Sequence, residues 1–280
     1  MQWRLSGYVV ALAALATLPA NADDLRQRFS KHACAVAHIS SAESSGTGFF
    51  VNSTGLMVTA SHVVYDPTWY AERGQFHVRV TPKKNLAATL LDGKTYPIDL
   101  GGHSTLDDAN AEFDLAAVQT SIHNECFISI SPQFSADVGQ HLISIGFPGL
   151  NPEGVLYEGF LSSAHARFQA PVGVVGNQQI TANFDVFRVQ MPITPGASGA
   201  PVLDDADNAI AVVTAVPVLL TQNIERVIGT LKAQQGVTMS LGRINVVQTL
   251  AELAWVVKEF ETPGAGYAVP LRYILVPGGK

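Results

Sequence analysis

Residues 195–201, Pro-Gly-Ala-Ser-Gly-Ala-Pro, set Ser198 between glycines. Such a frame presents a hydroxyl on a tight loop and leaves nearby backbone N–H groups free to face a reacting carbonyl. A serine hydroxyl alone is a weak nucleophile and needs a base, with an acid to orient that base. Two upstream segments carry candidates: Thr59-Ala60-Ser61-His62-Val63-Val64 and Glu112-Phe113-Asp114-Leu115-Ala116-Ala117-Val118. The order His62, Asp114, Ser198 is one of the orders in which a Ser-His-Asp constellation occurs. An imidazole with an ordinary pKa near 6.5 suits His62 as a group that takes and returns a proton near neutrality. Asp114 leads straight into an apolar run, so it is the acid best placed for burial. Its rivals Asp107, Asp108 and Glu112 stand in a polar run that reads as a solvated loop, with Glu112 the second choice.

Taken together, TASHVV, FDLAAV and PGASGAP resemble the three catalytic segments of trypsin-like serine proteases, and among them the bacterial HtrA-type branch. GTGFFV ahead of the histidine, SIGFPG at 144–149 and GYAVP at 266–270 support that branch, and the likeness runs from about Gly46 to Pro270. The resemblance implies a serine endopeptidase acting through an acyl-enzyme on Ser198, with His62 as base and Asp114 orienting it. It implies that the backbone N–H groups of Gly196 and Ser198 form the oxyanion hole. It further implies two six-stranded antiparallel β-barrels of the chymotrypsin type, with the site at the cleft between them. Ala197 departs from the family, in which an Asp or Asn is usual there, and Ala200 replaces the second glycine of Ser-Gly-Gly. No Ile-Val-Gly-Gly motif stands near residue 23, which argues against activation by a new N-terminus. No PDZ-type peptide-binding module is expected after Pro270.

The elements that must hold these residues read as all-β. Thr47 to Val51, a turn at Asn52-Ser53-Thr54-Gly55, and Leu56 to Thr59 form a hairpin. Further strands are expected at 76–81, 87–91, 115–120, 141–146, 159–166, 184–190, 200–203 and 209–216. Many short strands with regular turn signals favour a barrel or sandwich over an alternating α/β fold. Interruption of the apolar runs near Ser131 to Asp137 divides the chain into an N-terminal barrel at 46–132 and a C-terminal barrel at 133–280. Apolar positions at 250, 253, 254, 257 and 260 predict a helical insertion at 246–261. Between residues 23 and 45 lies a lead-in segment of ambiguous periodicity.

Residues 1–22 read as a signal peptide: Arg4, an apolar core from Tyr8 to Leu18, and Ala20-Asn21-Ala22 as a cleavage site. Its apolar core is shorter than the roughly 20 residues a bilayer span needs, so export rather than stable membrane insertion is expected. In an oxidising compartment Cys34 and Cys126 allow one intramolecular disulfide, the alternative being two buried free thiols. Neither has neighbours at metal-ligand spacing, so no metal and no cofactor are expected. Charged residues make up 14% of the chain, the net charge is −6, and no Lys/Arg cluster forms a nucleic-acid footprint. Protein or peptide substrates are the expected partners. Residues 190–194 contain no acid to attract a basic side chain, so a pocket for small or medium apolar side chains is expected. The competing reading is a non-catalytic binding protein on the same scaffold. An α/β-hydrolase is disfavoured, because that class orders its residues serine, acid, histidine.

Overall fold

Leu56-Met57-Val58-Thr59-Ala60 and Leu115-Ala116-Ala117-Val118 are continuous apolar or small runs, and such runs belong to strands covered on both faces. The computed structural model describes residues 20–42, 45–73, 75–100, 113–133, 136–148, 153–215, 240–241, 244–245 and 264–274. It opens with helix α1 (Ala20–His32), followed by a 3-10 turn at Ala33–Ala35. Strands β1 (Val36–Ser40), β2 (Ser45–Phe50) and β3 (Leu56–Ala60) follow, then a one-turn helix α2 (Ser61–Val64). Next come β4 (Tyr65–Glu72), β5 (Gln75–Pro82), β6 (Leu86–Leu90), β7 (Thr95–Ile98) and β8 (Leu115–Gln119). These form a six-stranded curled sheet in the order β7-β6-β1-β2-β3-β8, with β4 and β5 as a separate hairpin.

The second half contains β9 (His141–Gly146), β10 (Val155–Val175), β11 (Gln178–Gln190), β12 (Pro201–Leu203) and β13 (Ala209–Ala215). After a short pair, β14 (Ser240–Leu241) and β15 (Ile244–Asn245), comes β16 (Gly266–Pro270). Six of these close a barrel in the order β10-β11-β16-β13-β12-β9. This is the expected chymotrypsin-like fold, with one difference: the first sheet curls without closing among the described residues. The predicted helix at 246–261 lies outside the described residues, as do residues 1–19 and Asp107, Asp108 and Glu112.

Alternation along the strands explains the double burial. Phe50, Met57, Ala116 and Val118 point into the first sheet's own interior beside Ile39 and Leu86. Their neighbours Phe49, Val58, Leu115 and Ala117 point the other way, onto Ile143, Ile145, Val212 and Val269 of the barrel. The two halves therefore share an apolar seam. The strands β3 and β8, which end and begin at the candidate site, both contribute residues to that seam.

Two contacts fasten the N-terminal helix to this body. Cys34 and Cys126 are joined in a disulfide with Cα atoms 5.8 Å apart, which decides between the bridge and the free thiols. Arg28, Lys31 and His32 converge on Asp207 in the β12–β13 turn, at 2.7, 2.8 and 3.1 Å. Burial pushes the Asp207 carboxyl up, but hydrogen bonds from Lys31 and Arg28 and the close approach of His32 outweigh it and hold it well below the usual carboxylate range.

Candidate active site

Where β3 ends, the chain turns into α2, and the Ser61 N–H donates to the Asp114 carbonyl at 3.0 Å. Asp114 itself sits at φ 57°, in the left-handed region that a short polar side chain tolerates better than most. The turn brings its carboxylate onto His62. Oδ1 accepts the His62 backbone N–H at 2.9 Å, and Oδ2 faces His62 Nδ1 at 2.8 Å. The Thr214 hydroxyl, from β13 of the barrel, also donates to Oδ2. With the carboxylate at Nδ1, the ring carries its proton there, and neutral His62 keeps the Nε2 lone pair free.

The electrostatics follow from these contacts. The attraction of Asp114 raises the His62 pKa above its ordinary 6.5; burial and the charge of Lys83 oppose this, and the hydrogen bond to Asp114 adds to it. Burial pushes the Asp114 carboxyl up, but the attraction of His62 and hydrogen bonds from His62 and Thr214 leave it below its ordinary value. Lys83 closes the C-terminal end of α2. Its N–H donates to the Val64 carbonyl at 2.9 Å and its Nζ to the His62 carbonyl at 2.7 Å.

Ser198 lies on the loop before β12. Gly196 and Gly199 flank it at φ 95° and 90°, a backbone shape that disfavours any other residue. Gly199 is further constrained, because a Cβ there would collide with the Thr47 carbonyl and the Thr59 hydroxyl. Within the loop, the Ala197 N–H donates to the Thr194 carbonyl at 3.1 Å, Gly199 to Val213 at 2.7 Å and Ala200 to Ala197 at 2.9 Å. Among the described residues, the N–H groups of Gly196 and Ser198 have no acceptor. These are the two groups the resemblance points to. The Ser198 hydroxyl donates to the Thr214 carbonyl at 3.4 Å and makes no hydrogen bond to His62.

His62 and Asp114 thus come from the first half, and Ser198 and Thr214 from the second. Thr214 joins them: its hydroxyl meets Asp114 and its carbonyl meets the Ser198 hydroxyl. Sequence reading overlooked Thr214, Lys83 and Thr47, since a threonine or lysine in a strand or turn carries no signal of its own. Among the described residues no three His, Cys, Asp or Glu side chains converge as a metal site requires. No described helix is long and apolar enough to cross a membrane.

A curled six-stranded sheet joined to a closed six-stranded barrel, with this constellation at their junction, defines the two-barrel class of serine-protease scaffold. The chain belongs to the trypsin-like peptidase domain family, whose model matches residues 46–212. It is 31% identical over 176 residues to a probable periplasmic serine endoprotease, DegP-like, of Chlamydia pneumoniae, covering 61% of this chain and 28% of that protein. The chain therefore aligns with less than a third of that relative's length. Among solved structures, the HtrA-type protease AlgW with tripeptide has TM-score 0.52 and 18% identity, covering 89% of this chain and 60% of that one. The serine endoprotease from Yersinia pestis has TM-score 0.52 and 15% identity, covering 89% and 62%. At such identities the structural likeness speaks for the fold.

Proposed function

We propose that this chain is an exported serine endopeptidase that hydrolyses peptide bonds through an acyl-enzyme on Ser198. The observation that supports this reading is the His62–Asp114 couple, with His62 Nδ1 2.8 Å from Asp114 Oδ2 and the Thr214 hydroxyl donating to the same oxygen. In the proposed mechanism the Ser198 hydroxyl leaves the Thr214 carbonyl and hydrogen-bonds to Nε2 of neutral His62. Attack on the substrate carbonyl forms the Oγ–C bond while His62 takes the hydroxyl proton. The oxyanion accepts from the N–H groups of Gly196 and Ser198, and Asp114 stabilises the imidazolium. His62 then protonates the leaving amine as the C–N bond breaks, and water hydrolyses the acyl-enzyme by the same route.

Apolar side chains are the proposed specificity. Met191 and Ile193, just before the loop, are buried, and no acid stands in that segment. Export is supported by the leader-like residues 1–22, the disulfide and the likeness to a probable periplasmic endoprotease of Chlamydia. Dividing the chain near 132 into two barrel units is part of the same proposal.

The test is labelling of Ser198 by a fluorophosphonate probe, with cleavage-site profiling on a denatured proteome. Wild type is expected to label and cleave, and Ser198→Ala to do neither. The rival reading, a binding protein on this scaffold, is favoured by the Ser198 hydroxyl facing Thr214. It wins if correctly folded wild type neither labels nor cleaves.

A further inference from the structure

The motifs GTGFFV and SIGFPG have no part in the chemistry just described, yet the fold brings both against the nucleophile loop through one fully buried residue, Thr47. Its N–H donates to the Ser198 carbonyl at 2.8 Å, and its hydroxyl donates to the Gly196 carbonyl at 3.0 Å. The same hydroxyl accepts the Phe147 N–H of the second motif at 3.0 Å. Its carbonyl accepts the Thr59 hydroxyl at 2.6 Å, which ties it to the strand ending at Ala60.

These bonds fix peptide planes, not only atoms. A trans peptide is planar, so holding its C=O sets the direction of its N–H. The Gly196–Ala197 peptide is held at both ends, its C=O by the Thr47 hydroxyl and its N–H by the Thr194 carbonyl. The Ser198–Gly199 peptide is likewise held, its C=O by the Thr47 N–H and its N–H by the Val213 carbonyl. Between them, the Ala197 carbonyl accepts from Ala200, which turns the Ser198 N–H the opposite way. Two clamped planes thus bracket the free N–H of Ser198 and follow that of Gly196.

We infer that Thr47 is a positioning residue, whose hydroxyl links the Phe147 N–H to the Gly196 carbonyl and thereby holds the Gly196 and Ser198 N–H groups free for the substrate oxyanion. The inference rests on the peptidase reading for its consequence, but not for the loop geometry. The Thr59 hydroxyl is the only described side-chain group that reaches Thr47 from β3, and it touches the carbonyl rather than the hydroxyl. The Thr47 hydroxyl therefore has no substitute among the described residues as donor to Gly196.

Thr47→Val keeps the shape and removes the hydroxyl; Thr47→Ser keeps the hydroxyl and removes the methyl. On a peptide cleaved by wild type, Thr47→Val is expected to lower kcat roughly 10- to 100-fold with KM little changed, the signature of a misplaced catalytic group. Binding of a peptide trifluoromethyl ketone, which forms the oxyanion, should weaken in the same ratio. Thr47→Ser should stay within about threefold of wild type in both readouts. Hydrogen exchange across residues 194–200 gives a measure independent of activity. There Thr47→Val should exchange at least about tenfold faster, and Thr47→Ser like wild type. Folded Thr47→Val with wild-type exchange and wild-type kcat overturns the inference, and so does a Thr47→Ser variant as impaired as Thr47→Val. If Thr47→Val does not fold, Thr47→Ala, which leaves space at the site, is read in its place with the same criteria. If wild type is inactive but the exchange difference appears, the peptidase reading fails and the positioning role stands.

Discussion

Replacing Asp114 by asparagine preserves the outline of the side chain and removes its charge and one acceptor. Asparagine also tolerates the left-handed backbone at 114, so the loop keeps its path. With the amide oxygen still accepting the His62 N–H, the amide nitrogen faces Nδ1 and donates to it. That moves the ring proton to Nε2, where it blocks uptake of the Ser198 proton. An imidazolium–carboxylate pair about 4 Å apart is worth about 4 kcal/mol at an effective dielectric near 20. The His62 side chain is 47% exposed and that of Asp114 26%, so screening by water cuts this to about 2 kcal/mol. The lost charge-assisted hydrogen bond adds about 2 kcal/mol, for a total near 4 kcal/mol. At about 1.36 kcal/mol per factor of ten, kcat/KM falls roughly 1,000-fold. Steady-state kinetics on a peptide cleaved by wild type measures the loss, and nitrogen-15 shifts of His62 report the tautomer. Retention of more than about a tenth of wild-type kcat/KM, with the proton on Nε2, refutes the reasoning.

Three further outcomes follow from the charges around the site and the N-terminal helix. Because Asp114 raises the His62 pKa and the base must be neutral, kcat/KM should rise with pH to a midpoint above 6.5. Lys83 opposes that rise, so Lys83→Met should move the midpoint upward and Lys83→Arg should leave it near wild type, read from pH–rate profiles; a downward move with Lys83→Met rejects the account. Asp207→Asn leaves the 8%-exposed Arg28 side chain without its carboxylate and should cost about 2–4 kcal/mol of stability at pH 7, measured by urea unfolding. The folded Asp207 carboxyl is depressed, so the difference from wild type should be full above pH 3.8 and shrink as pH falls below it; a constant difference down to pH 2 would count against it.

Much of the second barrel was legible because its strands have turn residues at their ends. The sequence pattern predicts β9 at His141 to Gly146, the bounds it has, whereas β10 runs from Val155 to Val175 rather than 159–166. Register shifts between Leu161 and Ser163, and between Ser163 and Ala166, break its alternation and hide its length. β1 lies inside the segment read as a lead-in, because Val36-Ala37-His38-Ile39 directly follows a helix with no turn signal between them. β4 and β7 escape the sequence pattern for another reason: each contains a proline, Pro67 and Pro97, which demotes a strand in any periodicity reading.

The glycine-framed serine, the histidine after an apolar strand and the acid before one are local chemistry, and residue type with order suffices to single them out. How their groups face one another is a matter of distant backbone. That the Ser198 hydroxyl meets the Thr214 carbonyl depends on a contact within the barrel, and that Thr214 caps Asp114 and Thr47 clamps the Gly196 carbonyl depends on contacts between the two halves. No sequence period encodes such contacts. The shared apolar seam sets how the curled sheet sits on the closed barrel, and with it which hydroxyl reaches which carbonyl.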